Sequence, residues 1–224
     1  MSQPNQYYIY YKDRAFPYDR QAFQGKIYNF ENEHPTDILI IGEIENFQPP
    51  ITHTNIEEFI DFVQNDRIDL KIDNAIQLYQ LGVLMKCPTL IIITDQFIDA
   101  NKNELLKEFF SSKYPLSWVY EKLISHNFLE YIEEEKLMQY PVSVIHRIIQ
   151  KFLRNNKCSR KIIDFIFKYI ESDQPFGSIL LNLIEVNEDE EYFLEKLHSK
   201  ISPKYDLAFV LPGHLIYLLN QKFQ

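Results

Sequence analysis

Glycine is scarce in this chain, with five in 224 residues. The scarcity excludes phosphate-cradling loops and Gly-rich strand turns, and it leaves the corners to Pro, Asn and Asp. None of G-x-x-x-x-G-K, G-x-G-x-x-G or G-x-S-x-G occurs. Cysteine is rarer still. Cys87 and Cys158 lie far apart without a second ligand nearby, so free buried thiols in a reducing compartment are expected rather than a disulfide. Net charge is −9, which provides no broad cationic field for nucleic acid. Lys151 to Lys161 (KFLRNNKCSRK) is the one local exception, and it reads as a solvated turn with helix-end charges. The start, MSQPNQYYIYYKDR, has no basic region followed by an apolar one, and the run Leu90 to Ile93 is far short of the roughly 20 residues of a membrane span. A cytoplasmic protein is the expectation, with neither membrane nor nucleic acid as partner.

Chemistry-bearing patterns are missing as well. The six histidines, at 34, 53, 126, 146, 198 and 214, include no pair at helical zinc spacing. His146, beside Arg147, is expected at the edge of a packed helix face. Glu133 to Glu135 and Glu188 to Glu191 lack the spaced acidic pattern of a calcium loop and read as solvated faces. No cofactor, metal, small-molecule substrate or catalytic residue is expected.

What the chain does have is aromatic and apolar periodicity, with 17 Phe and 15 Tyr. The organising stretch runs from Ile51 to Ile98. Within it Ile56, Phe59, Ile60 and Val63 fall at i, i+3, i+4 and i+7, opposite Glu57, Glu58, Asp61 and Gln64. Thr52 or Thr54 is the natural N-cap, Pro49-Pro50 forbids an earlier start, and Asn65-Asp66-Arg67 ends the helix. A second helix, from about Ile72 to Met85, has its stripe at Ile72, Ile76, Tyr79 and Val83. Leu78, Leu81 and Leu84 spill onto its other sides, so it should be packed nearly all round. For Leu90 to Thr94 (LIIIT), β-branching argues strand and position argues helix, and the helical reading is preferred. Helix continues from Asp95 to Phe110, interrupted at Asn101 to Asn103.

Ahead of this stretch, Tyr7 to Tyr11 and Ala15 to Pro17 flank the turn Lys12-Asp13-Arg14 as a hairpin. Asp19 caps a short helix reaching Phe30, and Asp37 to Gly42 is a covered strand. Ser111 to Pro115 makes the best boundary in the chain. Beyond it come helical patterns at Ser117 to Ile124 and Asn127 to Ile132. Pro141 opens a helix through Phe152 with Val144, Ile145, Ile148, Ile149 and Phe152 on one face. Ser159 caps the run Ile162 to Ile170, and Gln174 to Gly177 turns into Ile179 to Ile184. The acidic run Asn187 to Glu191 precedes Phe193, Leu194 and Leu197. Asp206 to Leu211 and a last helix from Pro212 to Leu219 complete the reading. The fold class is α+β, a small sheet with helices over 1–112 and an all-α region over 113–224.

The order of hairpin, helix, strand, IT-x-x-x-IEEFIDFVQ and NAIQLYQLGVLMKCPTL resembles the BTB/POZ fold. PVSVIHRII, IIDFIFKYI and EYFLEKL in the second half resemble a BACK-like helical region, as at the front of protist proteins that continue into ankyrin repeats. No ankyrin or kelch repeat occurs before Gln224. The resemblance implies a protein–protein interaction module, either a scaffold or assembly subunit of a larger complex, with the cytoskeleton as one setting, or a substrate adaptor of a cullin-3 type ubiquitin ligase. Partners would be proteins, through self-association, a larger assembly or a cullin. Only Met1 to Gln6 precedes the hairpin, which argues against a strand-swapped dimer. Ile68 to Gln77 lacks the hydrophobic-x-acidic triplet of cullin binders, which places the adaptor reading second. The candidate partner-binding residues are Asp66, Arg67 and Asp69 in the loop after the first central helix, and Ile145 and Ile149 on the Pro141 helix.

Overall fold

Alternation in the first aromatic segment produces a two-stranded hairpin, β1 (Tyr7–Tyr11) and β2 (Arg14–Tyr18), paired antiparallel with Ile9 opposite Phe16. Ile9, Tyr11, Phe16 and Tyr18 are buried while Tyr10, Ala15 and Pro17 are exposed, the period-2 pattern of a sheet covered on one face. The computed structural model describes residues 7–30, 38–40, 48–113, 115–172, 176–184 and 189–200. The chain divides into two compact units, 1–120 and 121–224. The described residues are mostly helical with one small sheet, an α+β layout.

In the first unit α1 (Arg20–Lys26) starts where Asp19 accepts the Gln21 N–H at 2.9 Å. It stops at Lys26, short of the expected Phe30, although Phe23, Ile27 and Phe30 are all buried. β3 (Ile38–Ile40) lies parallel to β1, giving the order β2-β1-β3. Asp37, Ile41 and Gly42, the ends of the expected strand, lie outside the described residues.

The central helix α2 (His53–Asn65) has a complete capping box. Thr52 accepts the Asn55 N–H, and the Asn55 side chain accepts the Thr52 N–H at 2.9 Å. Its buried face is Ile56, Phe59, Ile60, Phe62 and Val63, with Phe59 edge-on to Phe23 at 5.8 Å. α3 (Ala75–Leu84) begins three residues later than Ile72, because residues 72–74 form a turn in which the Asn74 N–H donates to Lys71 O at 3.3 Å. Every residue from Ala75 to Gly82 is buried, whereas Val83, expected on the packed stripe, is exposed. Gly82 lets α4 (Pro88–Ala100) approach closely: a Cβ there would lie 3.2 Å from Ile91 Cγ1. Leu90 to Thr94 is helical. Pro88 opens the helix, and Leu90, Thr94 and Ile98 are buried at steps of four while the intervening Ile92 and Gln96, which a strand would place on that same face, are exposed. α5 (Lys102–Ser111) follows after Asn101, with Leu105, Leu106 and Phe109 inward.

The division between units falls inside α6 (Trp118–His126). In the second unit α7 (Phe128–Tyr131) and a 3-10 turn (Glu135–Gln139) lead to α8 (Val142–Leu153) and α9 (Arg160–Glu171). Ile145, Ile148, Ile149 and Phe152 of α8 are buried, as are Phe165, Ile166 and Tyr169 of α9. Phe128 meets Phe165 edge-on at 5.2 Å, and the Tyr169 hydroxyl donates to Tyr140 O at 2.7 Å. Ser159 stands at the start of α9 but its side chain does not cap the helix. The Ile179 to Ile184 segment is a 3-10 helix (Gly177–Leu183), and α10 (Glu190–Lys200) buries Phe193, Leu194 and Leu197. The expectations at Asp206 to Leu211 and Pro212 to Leu219 lie outside the described residues. Of the two thiols, neither in a disulfide, Cys87 is buried and Cys158 only half-buried.

Candidate interaction surface

The connection from α2 to α3, residues 66–74, carries three of the five candidate residues, and its shape follows from how each end is fastened. At the first end Asp66 takes the left-handed conformation, φ 57°, and its N–H closes α2 on Phe62 O at 3.0 Å. A short polar side chain tolerates that conformation better than an apolar one. Lys26, from α1, donates to Asp66 Oδ1 at 2.6 Å and to Phe62 O at 3.1 Å. A cation therefore sits on the negative end of α2 and fixes Asp66 at once.

At the other end the Asn74 side chain does three jobs. Its oxygen accepts the Lys71 N–H at 2.8 Å, and its amide donates to Asp69 O at 2.9 Å and to Glu58 Oε1 at 3.1 Å. Asn74 is 5% exposed, so these bonds are sheltered from water and hold the loop as an integral part of the unit. This is also why Asn74, although it precedes α3, does not cap that helix with its side chain.

Between the two fastenings burial alternates: Arg67, Asp69 and Lys71 are exposed, while Ile68 and Leu70 are half-buried against the core of the first unit. Asp69 and Lys71, two residues apart, project on the same side and pair at 2.8 Å. The Asp69 carboxylate accordingly pushes the Lys71 pKa above its ordinary value. The result is a braced ridge of alternating charge.

The second candidate group behaves differently. Ile145 and Ile149 each have 0% exposure and belong to the core of the second unit, so the expectation that they meet a partner is corrected. Their helix face is apolar because it packs internally. His146 is half-buried beside them. Next to this face Glu121 accepts from Arg147 Nη2 and Lys151 Nζ, each at 2.8 Å. Burial pushes the Glu121 carboxyl up, but the two cations outweigh it and its pKa is lowered overall.

Sequence reasoning missed Lys26, Lys71 and Asn74. An Asn directly before an apolar helix was a usable local signal for Asn74. Lys26 had none, because its partner lies 40 residues away. Among the described residues no group of three or more His, Cys, Asp or Glu could hold a metal ion, and no helix is long and apolar enough to cross a membrane. No model of a known protein family matches the chain, and no curated protein matches it.

Proposed function

We propose that the chain is a non-catalytic protein–protein interaction module, a scaffold or assembly subunit, with a BTB/POZ-like first part and a BACK-like helical second part. The observation that carries this reading is the 66–74 ridge. It spends a buried asparagine, a lysine from another helix and two apolar anchors on holding exposed charges in a fixed geometry. Such pre-organisation lowers the ordering cost of association. The hairpin, the parallel third strand and the capped central helix supply the element order on which the BTB/POZ resemblance rests.

The test is affinity capture from lysate with the native chain and with a chain carrying Asp66→Lys and Asp69→Lys. The native ridge is expected to retain a partner that the reversed ridge loses. A native chain that is an inert monomer and retrieves nothing would sink the proposal. The cullin-3 adaptor is the second reading, favoured only by the exposure of Asp66, Arg67 and Asp69. Recovery of cullin with the native ridge, lost on reversal, would promote it. Ile145 and Ile149 have no part in either reading.

A further inference from the structure

Where α9 meets α10, charged side chains of both helices surround one tyrosine. The Tyr192 hydroxyl donates to Asp164 Oδ1 at 2.5 Å, and Lys196 Nζ pairs with the same oxygen at 2.7 Å. Arg160 Nε donates to Asp189 Oδ1 at 2.7 Å. Both cations also lie against the Tyr192 ring, Arg160 at 5.0 Å and Lys196 at 5.3 Å from its centre. The bond to Asp164 raises the Tyr192 pKa, so the hydroxyl keeps its proton. These bonds form the solvent-exposed rim of a packed interface in which the Phe167 and Phe193 rings lie 6.1 Å apart.

We propose that Tyr192 is a site of phosphorylation by a tyrosine kinase, and that the phosphate releases α10 from α9. Glu188, Asp189, Glu190 and Glu191 stand immediately before Tyr192, a pattern that suits a kinase with a cationic substrate groove. No other tyrosine in the chain follows such a run. The Tyr192 oxygen attacks the γ-phosphorus of a nucleoside triphosphate. The new O–P bond forms as the bond to the β-phosphate oxygen breaks, the nucleoside diphosphate leaves, and the phenolic proton passes to the carboxylate base of the kinase. The phosphate carries a charge of about −1.5 to −2, so it repels Asp164 where the hydroxyl bonded it, and it draws Arg160 and Lys196 off their carboxylates. Before the change Tyr192 and Lys196 reach across to Asp164, and Arg160 reaches across to Asp189. Afterwards, of these groups, only Arg160 still links the two helices, because Lys196 and Tyr192 both belong to α10. A helix as short as α10 is marginal in water once its docking is weakened.

This site is independent of the 66–74 ridge. The test treats the folded full chain with magnesium ATP and a tyrosine kinase that prefers acidic sites, beside a peptide of residues 185–197. Mass spectrometry is expected to find phosphate on the peptide and, in the full chain, on Tyr192 ahead of every other tyrosine, with Tyr192→Phe losing it. A peptide that takes no phosphate would refute recognition of the acidic run, and a phosphorylated peptide beside an unmodified Tyr192 in the folded chain would refute the site. Amide hydrogen exchange then reads the docking. Residues 193–200 should exchange roughly tenfold faster in the phosphorylated chain than in the unmodified one. The unmodified double variant, Asp164→Asn with Asp189→Asn, loses both ion pairs and should show a similar rise. A phosphorylated chain that exchanges as slowly as the unmodified one, or a double variant no faster than the native chain, would overturn the release.

Discussion

At the scale of single residues the structure separates polar groups that brace the fold from polar groups that are offered to solvent, and Glu121 is the clearest brace. Its side chain is 9% exposed, and it accepts from Arg147 and Lys151, which lie one helical turn apart on α8. Glu121→Gln keeps the shape and removes the charge. Because both cations are about half exposed and can turn to water, the loss should be about 1–2 kcal/mol at neutral pH, read from urea unfolding. The pKa of Glu121 is depressed in the folded state. Its contribution is therefore complete above the unfolded value of about 4.3 and is lost as pH falls through the folded one. The stability difference between native chain and variant should shrink in that acid window. A difference that stays constant from neutral to acid pH would contradict the assignment.

At the scale of elements, the spacing of buried residues decides what propensity leaves open. Leu90 to Thr94 is as β-branched as a strand, yet its buried positions repeat with the helix and Pro88 suits the first turn. The helices on either side of Lys86 depend on Gly82. Leucine there would force α3 and α4 apart, since even a Cβ meets Ile91 Cγ1 at 3.2 Å and Leu90 Cγ at 3.4 Å. Gly82→Leu should cost about 1–3 kcal/mol despite the better helix propensity of leucine. A calorimetric melting temperature equal to or above that of the native chain would show that the interface has room to give. The same reasoning explains why Val83 was misplaced. Ile76, Tyr79 and Val83 share one helical stripe, but Ile72 lies in the turn before the helix, and Val83 at the other end is 40% exposed.

For the molecule as a whole, net charge of −9 bears on association more than on fold. The basic stretch from Lys151 to Lys161 is partly used internally, since Lys151 bonds Glu121 and Arg160 bonds Asp189 at 2.7 Å. Carboxylates thus offset Lys151 and Arg160, which weakens that stretch as a field for phosphates. A mobility-shift assay with duplex DNA or RNA at physiological salt should therefore show no complex. A shift that weakens steeply with added salt would contradict this and point back to that stretch.

Local signals sufficed for the hairpin, the caps at Asp19 and Thr52, the break at Asn101 and the helices described between Trp118 and Lys200. Each depends on periodicity, or on a polar group reaching backbone within a few residues, and both are written in consecutive positions. Helix ends were less legible. α1 stops at Lys26, because the backbone turns extended at Ile27, and α3 starts only at Ala75, after the turn at 72–74. Residue order is enough to say which faces are apolar. Only tertiary packing decided whether such a face is covered, as at Ile145 and Ile149, or left open, as at Val83, because covering depends on elements remote in the chain. Packing also brought Lys26 to Asp66 and Asn74 to Glu58, turning a charged loop into a fixed edge, and no local pattern encodes contacts between positions so far apart.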